Sequence, residues 1–234
     1  MGHALTEADE IYEQLWRNTG PLLKSGDMRI DPYLRNRVAD NRRGVTLVAR
    51  PDPGVLENVE ALLRRIAGLY PRQHFYKPAE LHMTVMAIIP GTEFWESEKE
   101  HLPACCSIVD EVLKDARTFT VDFRGVTVSP DAVMIQGFPA DNNLLELRNR
   151  LRKAFKKAGL VQNLDRRYKT VTAHLTGMRF SQPEADWERL FDLLREHREK
   201  NFGRTHFQSL ELIWSNWYAS ADLVCTLRDY PLQG

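Results

Sequence analysis

Two short runs constrain this chain more than anything else in it. Leu81-His82-Met83-Thr84-Val85 and Ala173-His174-Leu175-Thr176-Gly177 each set a His-x-Thr step inside an apolar, β-favouring stretch. Residues two apart on a strand share a face. His82 and Thr84 therefore point one way, with Met83 and Val85 the other; His174 and Thr176 repeat this, with Leu175 opposite. If the two strands lie side by side, two imidazoles and two hydroxyls meet in one cleft.

The pattern around the two steps repeats as well. Gly44 to Ala49 is a β-branched strand, and Val55, Val59, Leu62, Leu63, Ile66 and Leu69 follow at helical spacing. After a short strand at Phe75-Tyr76 comes the first His-x-Thr strand, residues 80–89, closed by Pro90-Gly91. A helix over 96–116, interrupted at Pro103, precedes an alternating strand, 118–128, which pairs back as a hairpin with 132–138. Leu144, Leu147, Leu151, Phe155 and Ala158 mark a strong helix ended by Gly159, and the second His-x-Thr strand spans 170–180. A helix opened by Pro183 and two strands, 205–217 and 221–228, complete the chain.

In each half a helix feeds a His-x-Thr strand, a second helix follows, then a hairpin. This duplication predicts an α+β fold of two pseudo-symmetric lobes, each an antiparallel sheet with flanking helices, with the active-site cleft between them. The lobes occupy residues 44–234. Residues 1–43 are an N-terminal extension: a helix over 7–18, begun by a Thr6-Asp9 capping box and stopped by Gly20-Pro21, then an irregular segment.

Composition removes several function classes. Lys plus Arg and Asp plus Glu both number 32, so the balance signals no large basic field for long duplex nucleic acid and leaves room only for a local basic patch. Three cysteines, two of them adjacent at Cys105-Cys106, fit neither a disulfide framework nor a zinc ribbon and imply a reducing, cytoplasmic setting. No run is apolar enough to span a bilayer, and the N-terminus lacks a secretory pattern. No carboxylate cluster or His-x-His accompanies either step, which agrees with the metal-independent, cofactor-free chemistry that the resemblance given below implies.

A lone His-x-Thr step is common by chance; its weight here comes from strand context, matching positions in the two halves and the hydroxyl beside each histidine. Together the two steps resemble the paired signatures of the 2H phosphoesterase superfamily, which includes RNA-ligase-like enzymes and cyclic phosphodiesterases. The resemblance covers about residues 44–228 in element order and leaves the extension unexplained. Gly177 departs from the bulky apolar residue usual at its place.

The resemblance implies a metal-independent phosphodiesterase acting on a 2′,3′-cyclic phosphate or a 2′–5′-linked phosphodiester, in RNA ends or small nucleotides. Such chemistry needs one proton removed and one delivered on opposite sides of phosphorus, which two histidines can divide. His82 and His174 are the candidate proton carriers, and Thr84 and Thr176 the candidate phosphate donors. Aromatic faces can stack a base, and Tyr168, Lys169, Tyr218 and Tyr76 are the candidate substrate-binding residues. Arg148, Arg150, Arg152, Lys153, Lys156 and Lys157 are expected on a solvated helix face, with an RNA-backbone track as the alternative. Arg166, Arg167 and Lys169 lead into the second step. A monomer is expected. Two rival readings are a non-catalytic RNA-end or nucleotide-binding module of the same fold, and a metal-dependent hydrolase using both histidines and a remote carboxylate.

Overall fold

The structure is a computed structural model that describes residues 6–160, 164 and 170–234. Helix α1 (Glu7–Ser25) precedes strand β1 (Arg43–Ala49), α2 (Pro53–Leu69), β2 (His74–Phe75) and β3 (Met83–Thr92). A short α3 (Trp95–Glu98) leads to α4 (Leu102–Leu113), the hairpin β4 (Phe119–Ser129) and β5 (Ala132–Pro139), and α5 (Asn143–Lys157). Then come β6 (Leu175–Arg179), α6 (Glu188–Glu196), β7 (Asn201–Phe207), β8 (Ser209–Asn216) and β9 (Cys225–Pro231).

The strands form one antiparallel sheet in the order β7-β4-β5-β6-β3-β1-β8-β9, with β2 paired to β6 beside β3. Only Gln208 separates β7 from β8, although they stand near opposite ends of this order. A flat sheet cannot satisfy both facts, so the sheet curls into a half-barrel that brings β7 and β8 together at one corner. The two expected lobes are thus two four-stranded halves of one curled sheet, with helices α2, α4, α5 and α6 burying their apolar stripes against it. The halves meet at β3 and β6, through the single ladder pair Met83↔Leu175.

Several boundaries differ from the sequence reading: β3 begins at Met83 and runs on through Pro90-Gly91 to Thr92, and α6 begins at Glu188, five residues after Pro183. Helix α1 continues through Gly20-Pro21 to a left-handed Gly26 (φ 83°). Thr19, Gly20 and Leu23 are buried and the ring of Phe191 lies over Gly20, so packing outweighs the bond lost at Pro21. The predicted capping box is present, with Asp9 N–H bonded to Thr6 Oγ1 (3.3 Å) and Thr6 N–H to Asp9 (2.9 Å). The expected closing strand over 205–217 is two strands, bent at Gln208 so that β7 pairs with β4 and β8 with β1. Residues 170–174 lie outside the ladder, and the carbonyls of Thr170, Val171 and Thr172 are taken by the arginine side chains described below.

Candidate active site

Both His-x-Thr steps lie at the junction of the two halves, and they run the same course. His82, Thr84 and Ala87 are partly exposed while Met83, Val85 and Met86 are buried. His174, Thr176 and Arg179 are partly exposed while Leu175, Gly177 and Met178 are buried. Simple alternation would put residues 87 and 179 on the core side. A β-bulge intervenes in each arm: Val85 is the extra residue between the partners of Leu47 and Val48, and Gly177 between those of Val133 and Met134. A bulge shifts the alternation by one residue. It therefore turns Arg179 onto the face that carries His174 and Thr176.

Gly177 is where two constraints meet. A Cβ there would lie 2.8 Å from Leu63 Cδ2 on α2 and 3.2 Å from Ile135 Cδ1. The departure noted in the sequence is thus the place where α2 presses on β6.

Each histidine is held through Nδ1 by the residue two before it. His82 Nδ1 lies 2.7 Å from the Glu80 carbonyl oxygen. A carbonyl only accepts, so Nδ1 carries the hydrogen and the neutral ring presents its Nε2 lone pair. Glu80 is itself buried and fixed, its carboxylate accepting the N–H groups of Lys77 (2.9 Å) and Ala221 (3.1 Å). His174 Nδ1 lies 2.8 Å from the Thr172 hydroxyl, which can donate or accept. Burial lowers both histidines from their ordinary range to about 4, with Arg50 and Arg179 adding to the effect at His82, and Arg148, Arg179 and His82 at His174.

Three arginines complete the junction. Arg148, on α5, is buried, and its guanidinium donates to four carbonyls: Val85 O (3.0 Å), Thr84 O (2.9 Å), Val171 O (2.7 Å) and Thr172 O (2.9 Å). Two belong to each arm, so one planar cation ties together strands that share a single ladder pair. Arg152 takes the Thr170 carbonyl (2.9 Å). The expectation of a wholly solvated basic face is corrected at Arg148. Helical spacing places it between Leu144 and Leu151 on the buried stripe, a signal present in the sequence. Arg179 Nε donates to Tyr76 Oη (2.8 Å), and its guanidinium lies 3.7 Å from Asp131.

The other candidates fall around this cation. Tyr76 is buried and supports Arg179. Tyr218 is also buried; its hydroxyl donates to Asp31 (2.7 Å) and accepts from Arg42 (3.0 Å). His74 lies between those two rings, at 5.0 Å from Tyr76 and 5.7 Å from Tyr218, and takes a hydrogen bond from Arg37 at Nδ1 (2.7 Å). The extension thus wraps onto the Arg179 end of the site through Asp31, Arg37 and Arg42. Tyr168 and Lys169, with Arg166 and Arg167, lie outside the described residues. Arg179 was missed in sequence because strict alternation hides it; a glycine inside a strand pattern is the one sign of the bulge that exposes it. Among the described residues, no group of three or more His, Cys, Asp or Glu side chains could hold a metal ion.

A curled antiparallel sheet with a His-x-Thr step on each strand of its central seam defines the 2H phosphoesterase class. The sequence matches the profile of the AKAP7 2′5′ RNA ligase-like domain over residues 52–221, and the chain belongs to that family. No curated protein sequence matches it. Among solved structures it is similar to TT0787 of Thermus thermophilus, with TM-score 0.57 and 15% identity over 82% of this chain and 98% of that one. It is also similar to E. coli LigT in the apo form, with TM-score 0.52 and 12% identity over 83% and 99% of the two chains. LigT complexed with 3′-AMP gives TM-score 0.50 at 12% identity over 82% and 99%. At these identities the likeness is one of fold. Among the described residues no helix is long and apolar enough to cross a membrane.

Proposed function

We propose that the protein is a metal-independent phosphodiesterase acting on a 2′,3′-cyclic phosphate or a 2′–5′-linked phosphodiester of RNA ends or small nucleotides. The observation that carries this reading is the convergence of His82, Thr84, His174, Thr176 and Arg179 on one face of the β3–β6 junction. Family membership supports phosphodiesterase-type chemistry in general. The similar LigT binds 3′-AMP, which agrees with a nucleotide-sized substrate here.

In hydrolysis of a cyclic phosphate, one Nε2 takes a proton from water as its oxygen attacks phosphorus. The other Nε2–H gives a proton to the departing ribose oxygen, and the roles exchange in ring closure. Thr84, Thr176 and Arg179 hold the equatorial oxygens as charge shifts. Both imidazoles are neutral near pH 7 in the free protein, since their pKa values lie near 4. The bound phosphate anion stabilises the one imidazolium that the reaction needs.

Phosphorus NMR of the protein with 2′,3′-cyclic nucleotides, with and without a chelator, tests this. The expected result is one monophosphate isomer, formed at the same rate in both. Activity abolished by the chelator would transfer the reading to a metal-dependent hydrolase. Tight binding with no product, extended to cyclic-ended and 2′–5′-linked RNA, would leave a non-catalytic nucleotide-binding module.

A further inference from the structure

Helix α1 lies outside the residues that the family profile matches, yet its Tyr12 side chain reaches the second arm. The Tyr12 hydroxyl is buried between β5 and the segment leading into His174. It donates to Gly137 O (3.2 Å) and accepts the N–H groups of Gly137 (3.2 Å) and Ala173 (3.3 Å). The β5–β6 ladder has already stopped, at Ile135↔Leu175. The two backbones remain in contact beyond it: a Cβ on Gly137 would lie 1.9 Å from Ala173 O. One phenol thus satisfies two backbone N–H groups where a ladder rung is missing, and leaving such buried groups unmet is costly. Ala173 precedes His174, and Thr172, whose side chain also interacts with the Tyr12 hydroxyl, holds His174 Nδ1. The α1 backbone adds a further tie, with Thr127 Oγ1 donating to Tyr12 O (3.1 Å).

We propose that Tyr12 is a positioning residue of the active site, its hydroxyl holding the Thr172–His174 segment against β5 and so fixing the His174 ring. This rests on the reading of His174 as a proton carrier. It gives the N-terminal extension a part in catalysis without contact with substrate.

Tyr12→Phe keeps the ring and its edge contact with Phe138 (5.5 Å between centroids) while removing the hydroxyl. Trp16→Leu serves as the control, because losing the stack of Trp16 on Phe191 (5.3 Å) loosens the same helix elsewhere. The charged groups that face His174 are Arg148, Arg179, His82 and Asp131, and all are retained in both variants. Steady-state kinetics and the ring ¹⁵N shifts of both histidines across pH are the readouts.

In Tyr12→Phe, kcat is expected to fall about tenfold with little change in KM, as for a reacting group slightly misplaced. The His174 titration should move up from about 4 as water gains access, while His82 stays put. Thr172→Val should reproduce both effects and Thr172→Ser neither. Wild-type kcat and an unmoved His174 titration in Tyr12→Phe would overturn the proposal. So would the same losses in Trp16→Leu, which would reduce the effect to helix docking. The NMR arm is independent of turnover. Wild-type protein inactive on every substrate class would therefore sink the proposed function while leaving a shifted His174 titration readable.

Discussion

Residues 80–87 and 172–179 follow the same path, from an Nδ1 anchor through His-x-Thr to a bulge and one last side chain on the open face. They differ at three points. The anchor is a carbonyl at Glu80 and a hydroxyl at Thr172. The bulged residue is Val85 in one arm and Gly177 in the other. The last side chain is Ala87 in the first and Arg179 in the second. The duplication thus places the two histidines and the two hydroxyls, while the differences make the face one-sided. One arm brings a fixed imidazole tautomer and no charge at its end; the other brings an adaptable anchor and a cation. A substrate whose two bridging oxygens must be told apart needs such a bias.

The sharpest way to break this comparison is to remove one histidine at a time. His82→Ala and His174→Ala are each expected to lower kcat by about 10²–10⁴-fold, the range for a positioned acid or base. Circular dichroism should show both variants folded. Near-full activity in either would show that the arms do not share the proton work.

Arg179→Met should be next in size, lowering kcat/KM by about 10²-fold in line with loss of one preorganised donor. Ala87→Arg in that background moves a cation to the opposite arm. If charge alone matters, the double variant regains activity; if its placement matters, as the asymmetric arms imply, it does not. Initial-rate kinetics on a cyclic nucleotide separates the two.

A smaller effect lies in the pH profiles. kcat/KM reports the free protein, in which both histidines titrate near 4. kcat reports the complex, in which the phosphate anion favours imidazolium and raises these values. The kcat optimum is therefore expected at higher pH than the kcat/KM optimum. Coincident optima would mean that the bound phosphate lies too far from both rings to act on them.

How far the sequence carried follows from the same residues. Period-two alternation was enough to put His82, Thr84, His174 and Thr176 on one face, because it is local. Arg179 escaped it, since a bulge is decided by how α2 packs on β6. Arg148 reads as a surface cation by its charge, whereas its place on the leucine stripe is what buries it. The bend at Gln208 was invisible because β7 and β8 pair with β4 and β1, at least 77 residues away in the chain, the shortest separation being Arg124↔Asn201. The extension resisted interpretation for a related reason: Tyr12 bonds Gly137 and Ala173, at sequence separations of 125 and 161. Contacts of that range leave no periodic trace.

The remaining difference, Val85 against Gly177, is a question of room. Val85 is fully buried without conflict, whereas the equivalent space at Gly177 is filled by Leu63 and Ile135. Gly177→Val should cost about 1–3 kcal/mol, the usual penalty for overpacking a filled core. The contact at 2.8 Å is with the end of a leucine side chain, so Leu63→Ala in the same chain should recover part of that loss. Urea unfolding of the four members of this cycle measures the coupling. Additive losses would mean that the glycine serves the backbone of the bulge instead. In that case Gly177→Ala alone should disturb Arg179 and lower kcat/KM severalfold, whereas a pure packing clash leaves the kinetics of the folded fraction intact.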